Sequence, residues 1–280
     1  MHNGLDIFTS LYIYNCYQLF KNIMKIQPLT SNELSSEILF DSFVIENLNS
    51  FDELIEVYQT YKQNNSDKII ILTLDDLGQA EYTSGHSIHS NHLDRTEGYD
   101  LSGLDKACFE DEEHLGYLST PSEFFIRKEN FLKQIKKNGF EEVCKKGLTI
   151  DDDEISILEK VNLSPLQYFD EQIILKIIPV EKSYEGILGF PNGYFEGDLN
   201  PFENYALAKF LLEKYDFELF GIGASFLGFI RNGRLKEDKA KELITDLSKL
   251  YNANKNSFVK LFDIIQDRNF LILKYIERLE

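Results

Sequence analysis

The chain predicts an α+β (mixed α/β) fold, with small sheets flanked by helices in two subdomains and a helical C-terminus. Two short, Ile-rich apolar runs, Lys68–Leu74 (KIIILTL) and Gln172–Val180 (QIILKIIPV), have the composition of buried strands. Between and after them lie amphipathic segments with helix-cap residues at their starts. A hydrophobic fraction of 43% supplies a core, and 22 Phe and 15 Tyr must fill much of it because Trp is absent.

Taken in order, Ile7–Phe20 is aromatic and partly apolar, and Ser, Asn and Gln interrupt it. It has no basic residue before it and is too short to span a bilayer, so it reads as a core helix or strand. Ser42–Glu46 (SFVIE) is a strand candidate. Phe51–Lys62 is a helix, with Ser50 as its N-cap and Glu53 at capping-box spacing. Leu54, Val57, Tyr58 and Tyr61 fall on one side of it. With Lys68–Leu74 this makes strand–helix–strand, a βαβ unit or an antiparallel arrangement.

Hydrophobic periodicity is absent from Asp75 to Pro121, so 75–121 reads as a long irregular loop. A short ordered stretch at Phe124–Ile126 follows, then a helix over 129–146 interrupted near Asn138-Gly139. The acidic run Asp151–Glu154 suits a helix start, where carboxylates meet the unpaired N–H groups. A boundary near 147–165 divides an N-terminal α/β unit, 1–147, from a C-terminal unit, 165–280.

In the second unit, Lys182–Leu188 is a short helical segment, and Pro191, Asn192-Gly193, Gly197 and Asp198 make 189–200 a loop. Asn200 caps a helix opened by Pro201 and running to Tyr215. Phe217–Ile222 and Ser225–Ile230 are strands joined at Gly223-Ala224. Helices are expected at Lys236–Tyr251 and Ser257–Leu279.

Asn200-Pro201, the helix residues Ala208, Leu211 and Tyr215, the paired strands and Lys239-Ala240 with Leu243 resemble a bacterial domain family of unknown function. That family carries an Asn-x-Cys-Pro loop and an Ala-x-x-Trp-x-x-x-Tyr-Gly-Ala helix. Here the Cys is missing, and Leu211 stands at the Trp position. The resemblance covers about 171–254. Some members of the family resemble immunity genes beside secreted toxins, so the resemblance implies toxin neutralisation and no catalytic residue.

The net charge of −18 repels phosphate and anionic lipid, so nucleic acid and membrane are disfavoured and a basic protein partner is expected. Cys16, Cys108 and Cys144 are odd in number and form no Cys-x-x-Cys, which predicts reduced thiols in a cytoplasmic setting. Tyr194, Phe195, Glu196 and Asp198 are the first candidates for partner binding, aromatic anchors beside carboxylates. The acidic patch Glu110, Asp111, Glu112, Glu113 comes second. The alternative is a metal-dependent hydrolase that uses His86, His89, His92 and Asp94 as ligands. The acidic field around Cys108 disfavours a thiolate, and Gly221-Ile222-Gly223 lacks the helix start that a phosphate loop needs. No cofactor is implied, and the preferred reading is non-catalytic.

Overall fold

The computed structural model describes residues 23–29, 39–135 and 139–279. The segment Ile7–Phe20 and Cys16 lie outside them. In chain order the first half contains β1 (Lys25–Pro28), β2 (Ser42–Glu46), α1 (Phe51–Asn64), β3 (Ile69–Thr73) and α2 (Leu77–Ser90). A small hairpin of β4 (Phe109–Glu110) and β5 (Glu113–His114) precedes α3 (Phe124–Gln134), α4 (Phe140–Cys144) and α5 (Asp152–Leu163). Then come β6 (Ile173–Ile178), α6 (Pro201–Tyr215), β7 (Glu218–Ile222), β8 (Phe226–Ile230), α7 (Glu237–Leu250), α8 (Val259–Asp267) and β9 (Phe270–Lys274). The fold is mixed α+β.

One seven-stranded sheet runs in the order β1-β2-β6-β3-β7-β8-β9. Stretches 1–147 and 165–280 therefore both feed the same sheet, with β6 hydrogen-bonded between β2 and β3. Both of those neighbours are antiparallel to β6, so β2 and β3 run parallel to each other with α1 as the crossover. β3 and β7 pair in parallel, Leu72 opposite Gly221.

Local chemistry sets the elements. The Ser50 hydroxyl accepts the Glu53 N–H at 3.1 Å, and the Glu53 carboxylate accepts the Asn49 N–H at 2.8 Å. Leu54, Val57 and Tyr58 face the core. From α1, Phe51 meets Phe270 at 4.6 Å between ring centroids, and Tyr58 meets Phe220 at 5.9 Å. A bulge between Leu219 and Gly221 sets the register around Phe220, whose ring lies against Gly228. The 3-10 segment Ser183–Gly189 lies against Ile71 and Ile178, where a Cβ at Gly186 or Gly189 would overlap their side chains.

Four expectations need correction. Residues 77–90 are helix rather than loop, because Asp76 caps the Gln79 N–H at 3.0 Å and after Leu77 the buried side is small: Ala80, Thr83, Ser84 and Ser87. Phe124–Ile126 opens α3, and the helix expected over 129–146 is α3 and α4. The C-terminus is not all helical: Phe270–Lys274 is the strand β9. All five of its residues are buried, which a strand covered on both faces permits and a one-striped helix does not. Finally, the main sheet is large rather than one of several small ones. On the open edge of β9, the Asn162 side chain donates to the Ile272 carbonyl and accepts the Ile272 N–H, each at 2.8 Å. It supplies what a further strand would.

Candidate functional site

The most distinctive exposed feature joins α2 to the loop 192–200. The side-chain amide of Asn192 donates to the Ala80 carbonyl at 3.1 Å, and its Oδ1 is hydrogen-bonded to the Thr83 hydroxyl. Asn204, on α6, donates to the carbonyls of Asn192 at 3.0 Å and Leu199 at 3.1 Å. Both asparagines are fully buried. Gly193 has φ +106, and a Cβ there would run into the Leu199 carbonyl. Asn200 closes the loop by accepting the Phe202 and Glu203 N–H groups, each at 3.0 Å.

That clamp sets four rings in a row. Tyr82 and His86, one turn apart on α2, stand 4.3 Å apart between centroids. His86 meets Tyr194 at 4.9 Å, and Tyr194 meets Phe195 at 5.4 Å. Tyr82, Tyr194 and Phe195 remain 54%, 41% and 50% exposed, so the rings lean on each other at tilted angles rather than entering the core. Large rings held in position and left open to solvent are the residues that concentrate binding energy at protein interfaces.

The predicted site residues divide. Tyr194, Phe195 and Glu196 are exposed, and Lys146 donates to the Glu196 carbonyl at 2.6 Å. Asp198 is buried: its carboxylate accepts the Glu277 N–H at 2.9 Å, and desolvation raises its pKa. It holds the loop against the C-terminal segment and offers no carboxylate to a partner. Glu110, Asp111, Glu112 and Glu113 form the exposed tip of the β4–β5 hairpin. Asp111 and Glu112 have φ +50 and +69, as a tight hairpin turn demands.

His86, His89, His92 and Asp94 do not converge. His86 is in the ring row, while His92 lies beyond the end of α2 with φ +54. Asp94 binds Arg127 through two hydrogen bonds, Nε at 2.6 Å and Nη2 at 2.5 Å. Among the described residues, no three His, Cys, Asp or Glu side chains are grouped to hold a metal ion.

The hairpin also brings Cys108, His114 and Glu123 into one cluster. His114 has both ring nitrogens engaged, Nδ1 with the Gly116 N–H at 3.0 Å and Nε2 with Glu123 Oε1 at 2.7 Å. Cys108 Sγ instead lies 2.9 Å from the Thr120 hydroxyl, and burial pushes its pKa up. The imidazole has no nitrogen left to take the thiol proton, so the cluster is not arranged as a nucleophile and its base.

Sequence reasoning missed Tyr82. The spacing 80, 83, 84, 87 of small residues behind Asp76 was the available signal. No family model, curated protein or solved structure matches the chain.

Proposed function

We propose that this is a non-catalytic protein-binding protein that engages a basic partner through Tyr82, His86, Tyr194 and Phe195, with an immunity-type inhibitor of a bacterial toxin as its most concrete form. The observation that carries the reading is the exposed ring row, held by buried asparagines before any partner arrives. Preorganisation of this kind lowers the entropy lost on binding. The net charge of −18 supports a basic partner, and Glu196 with the Glu110–Glu113 tip would steer its approach. No helix among the described residues is long and apolar enough to cross a membrane.

The test is affinity capture with wild type and a Tyr194→Ala/Phe195→Ala double variant. A specific basic protein should bind wild type, be lost from the variant, and weaken at about 1 M salt, where screening reaches ~3 Å. Co-expression should then suppress any toxicity of that protein. Identical captured sets from wild type and variant would remove the reading.

A further inference from the structure

The loop 192–200 is anchored at both ends. Asn192 ties its start to α2, and its far end meets residues 275–279, which follow β9. The Leu199 N–H donates to the Tyr275 carbonyl at 2.8 Å, and the Asp198 carboxylate accepts the Glu277 N–H at 2.9 Å. Tyr194 and Phe195 lie between the two anchors, so both anchors set where the rings stand.

The loop and the segment 275–279 approach most closely at Gly197. A Cβ there would fall 2.8 Å from the Glu277 Cβ and 2.7 Å from its carboxylate carbon. Gly197 has no left-handed φ. Its lack of a side chain therefore serves the close approach of Glu277 rather than a turn.

A buried ion pair holds the segment from below. Lys274 is fully buried and donates to Glu154 Oε1 at 2.6 Å and to the Glu277 carbonyl at 3.0 Å. The same Glu154 oxygen accepts the Leu279 N–H at 2.8 Å. Two charges taken out of water are compensated only when further hydrogen bonds complete them. Here the backbone of 277 and 279 supplies two of those bonds, so the pair favours the docked segment.

The two anchors differ in their access to water. Asn192 is sealed from solvent, whereas Glu277 and Arg278 are exposed. Surface backbone held by a few hydrogen bonds opens at a lower free energy than a core element. The segment 275–279 is therefore the anchor that releases first.

We infer that residues 275–279 are a strap that governs the ring row, with Glu277 as a positioning residue for Tyr194 and Phe195. The inference rests on the recognition role proposed above for those rings. With the strap docked, the loop is ordered for a partner. With it released, apparent affinity falls in proportion to the docked fraction. Recognition is thereby open to control from the C-terminal side without a change to any ring.

Hydrogen exchange of the full chain tests the strap. Gly197→Ala places a Cβ against Glu277 and excludes the docked state. Exchange of the 195–199 amides should quicken at least about tenfold, with β3 and β7 unchanged. Adding Glu277→Gly removes the colliding Cβ, so the double variant should exchange within about twofold of Glu277→Gly alone. Should Gly197→Ala fail to fold, Asp198→Ala, which removes the acceptor of the Glu277 N–H, should give the same local acceleration. Wild-type exchange at 195–199 in these variants, or an acceleration in Gly197→Ala that Glu277→Gly does not reverse, would overturn the inference. A partner captured by wild type should bind Gly197→Ala at least about tenfold more weakly, and equal binding would overturn it as well. Capture of no partner removes the recognition reading, while the exchange rates still decide whether the strap holds the loop.

Discussion

The carboxylate of Asp75 occupies the space that a Cβ on Gly223 would need. From the end of β3 it accepts the Ser225 N–H at 2.8 Å and the Phe226 N–H at 3.2 Å, and so ties the β7–β8 turn to the neighbouring strand. Tyr275 reaches the same turn, its hydroxyl 2.8 Å from the Gly223 carbonyl and 2.7 Å from that of Ala224.

Burial raises the Asp75 pKa to about 6, against the two hydrogen bonds, which favour the ionised form. The folded state therefore holds this proton more tightly than the unfolded chain. Stability from this group is fully present below pH ~4 and falls as pH rises to about 6, by roughly 3 kcal/mol. Asp75→Asn removes the titration, so the difference between wild type and variant in urea unfolding should change by that amount across the window. Parallel curves for the two proteins would contradict this.

Asn192 links the carrier helix of Tyr82 and His86 to the loop of Tyr194 and Phe195. Asn192→Ala removes its bonds to Ala80 and Thr83 and should destabilise the fold by about 2 kcal/mol. Amide exchange in 193–199 should accelerate more than exchange in β3 or β7. Uniform acceleration across the chain would mean that Asn192 is only a generic core residue.

Asp94 is a counter-charge of a buried arginine. Asp94→Asn takes the negative charge from the acceptor of two Arg127 hydrogen bonds and should cost about 1–3 kcal/mol. The loss should be the same with added zinc and with a chelator. A wild-type protein stabilised by zinc, with the gain absent from the Asp94→Asn variant, would restore the metal reading.

Strong local patterns were readable without coordinates. Ser50 and Asn200 act as the caps their spacing implies, and Leu54, Val57 and Tyr58 are buried as their helical spacing requires. The runs at Ile69–Thr73 and Ile173–Ile178 are strands. α2 escaped notice because beyond Leu77 its buried side consists of Ala, Thr and Ser, which give almost no hydrophobic signal. β9 escaped because the short apolar run Phe270–Leu273 beside a helical stretch fits either structure until its neighbours are known.

The candidate site was legible only in pieces. Tyr194 and Phe195 stood out as aromatics in a glycine-containing loop, and His86 stood out for a different reason, as a supposed ligand. The amino-acid order by itself determined the caps, the main buried strands, the acidic charge and the aromatic supply, since these depend on neighbours within a few residues. Only the tertiary structure decided that β6 enters between β2 and β3, that Asp198 is buried, that Asp94 pairs with Arg127, and that His86 lies against Tyr194. Each of these depends on chain segments distant in sequence competing for the same space and the same hydrogen bonds.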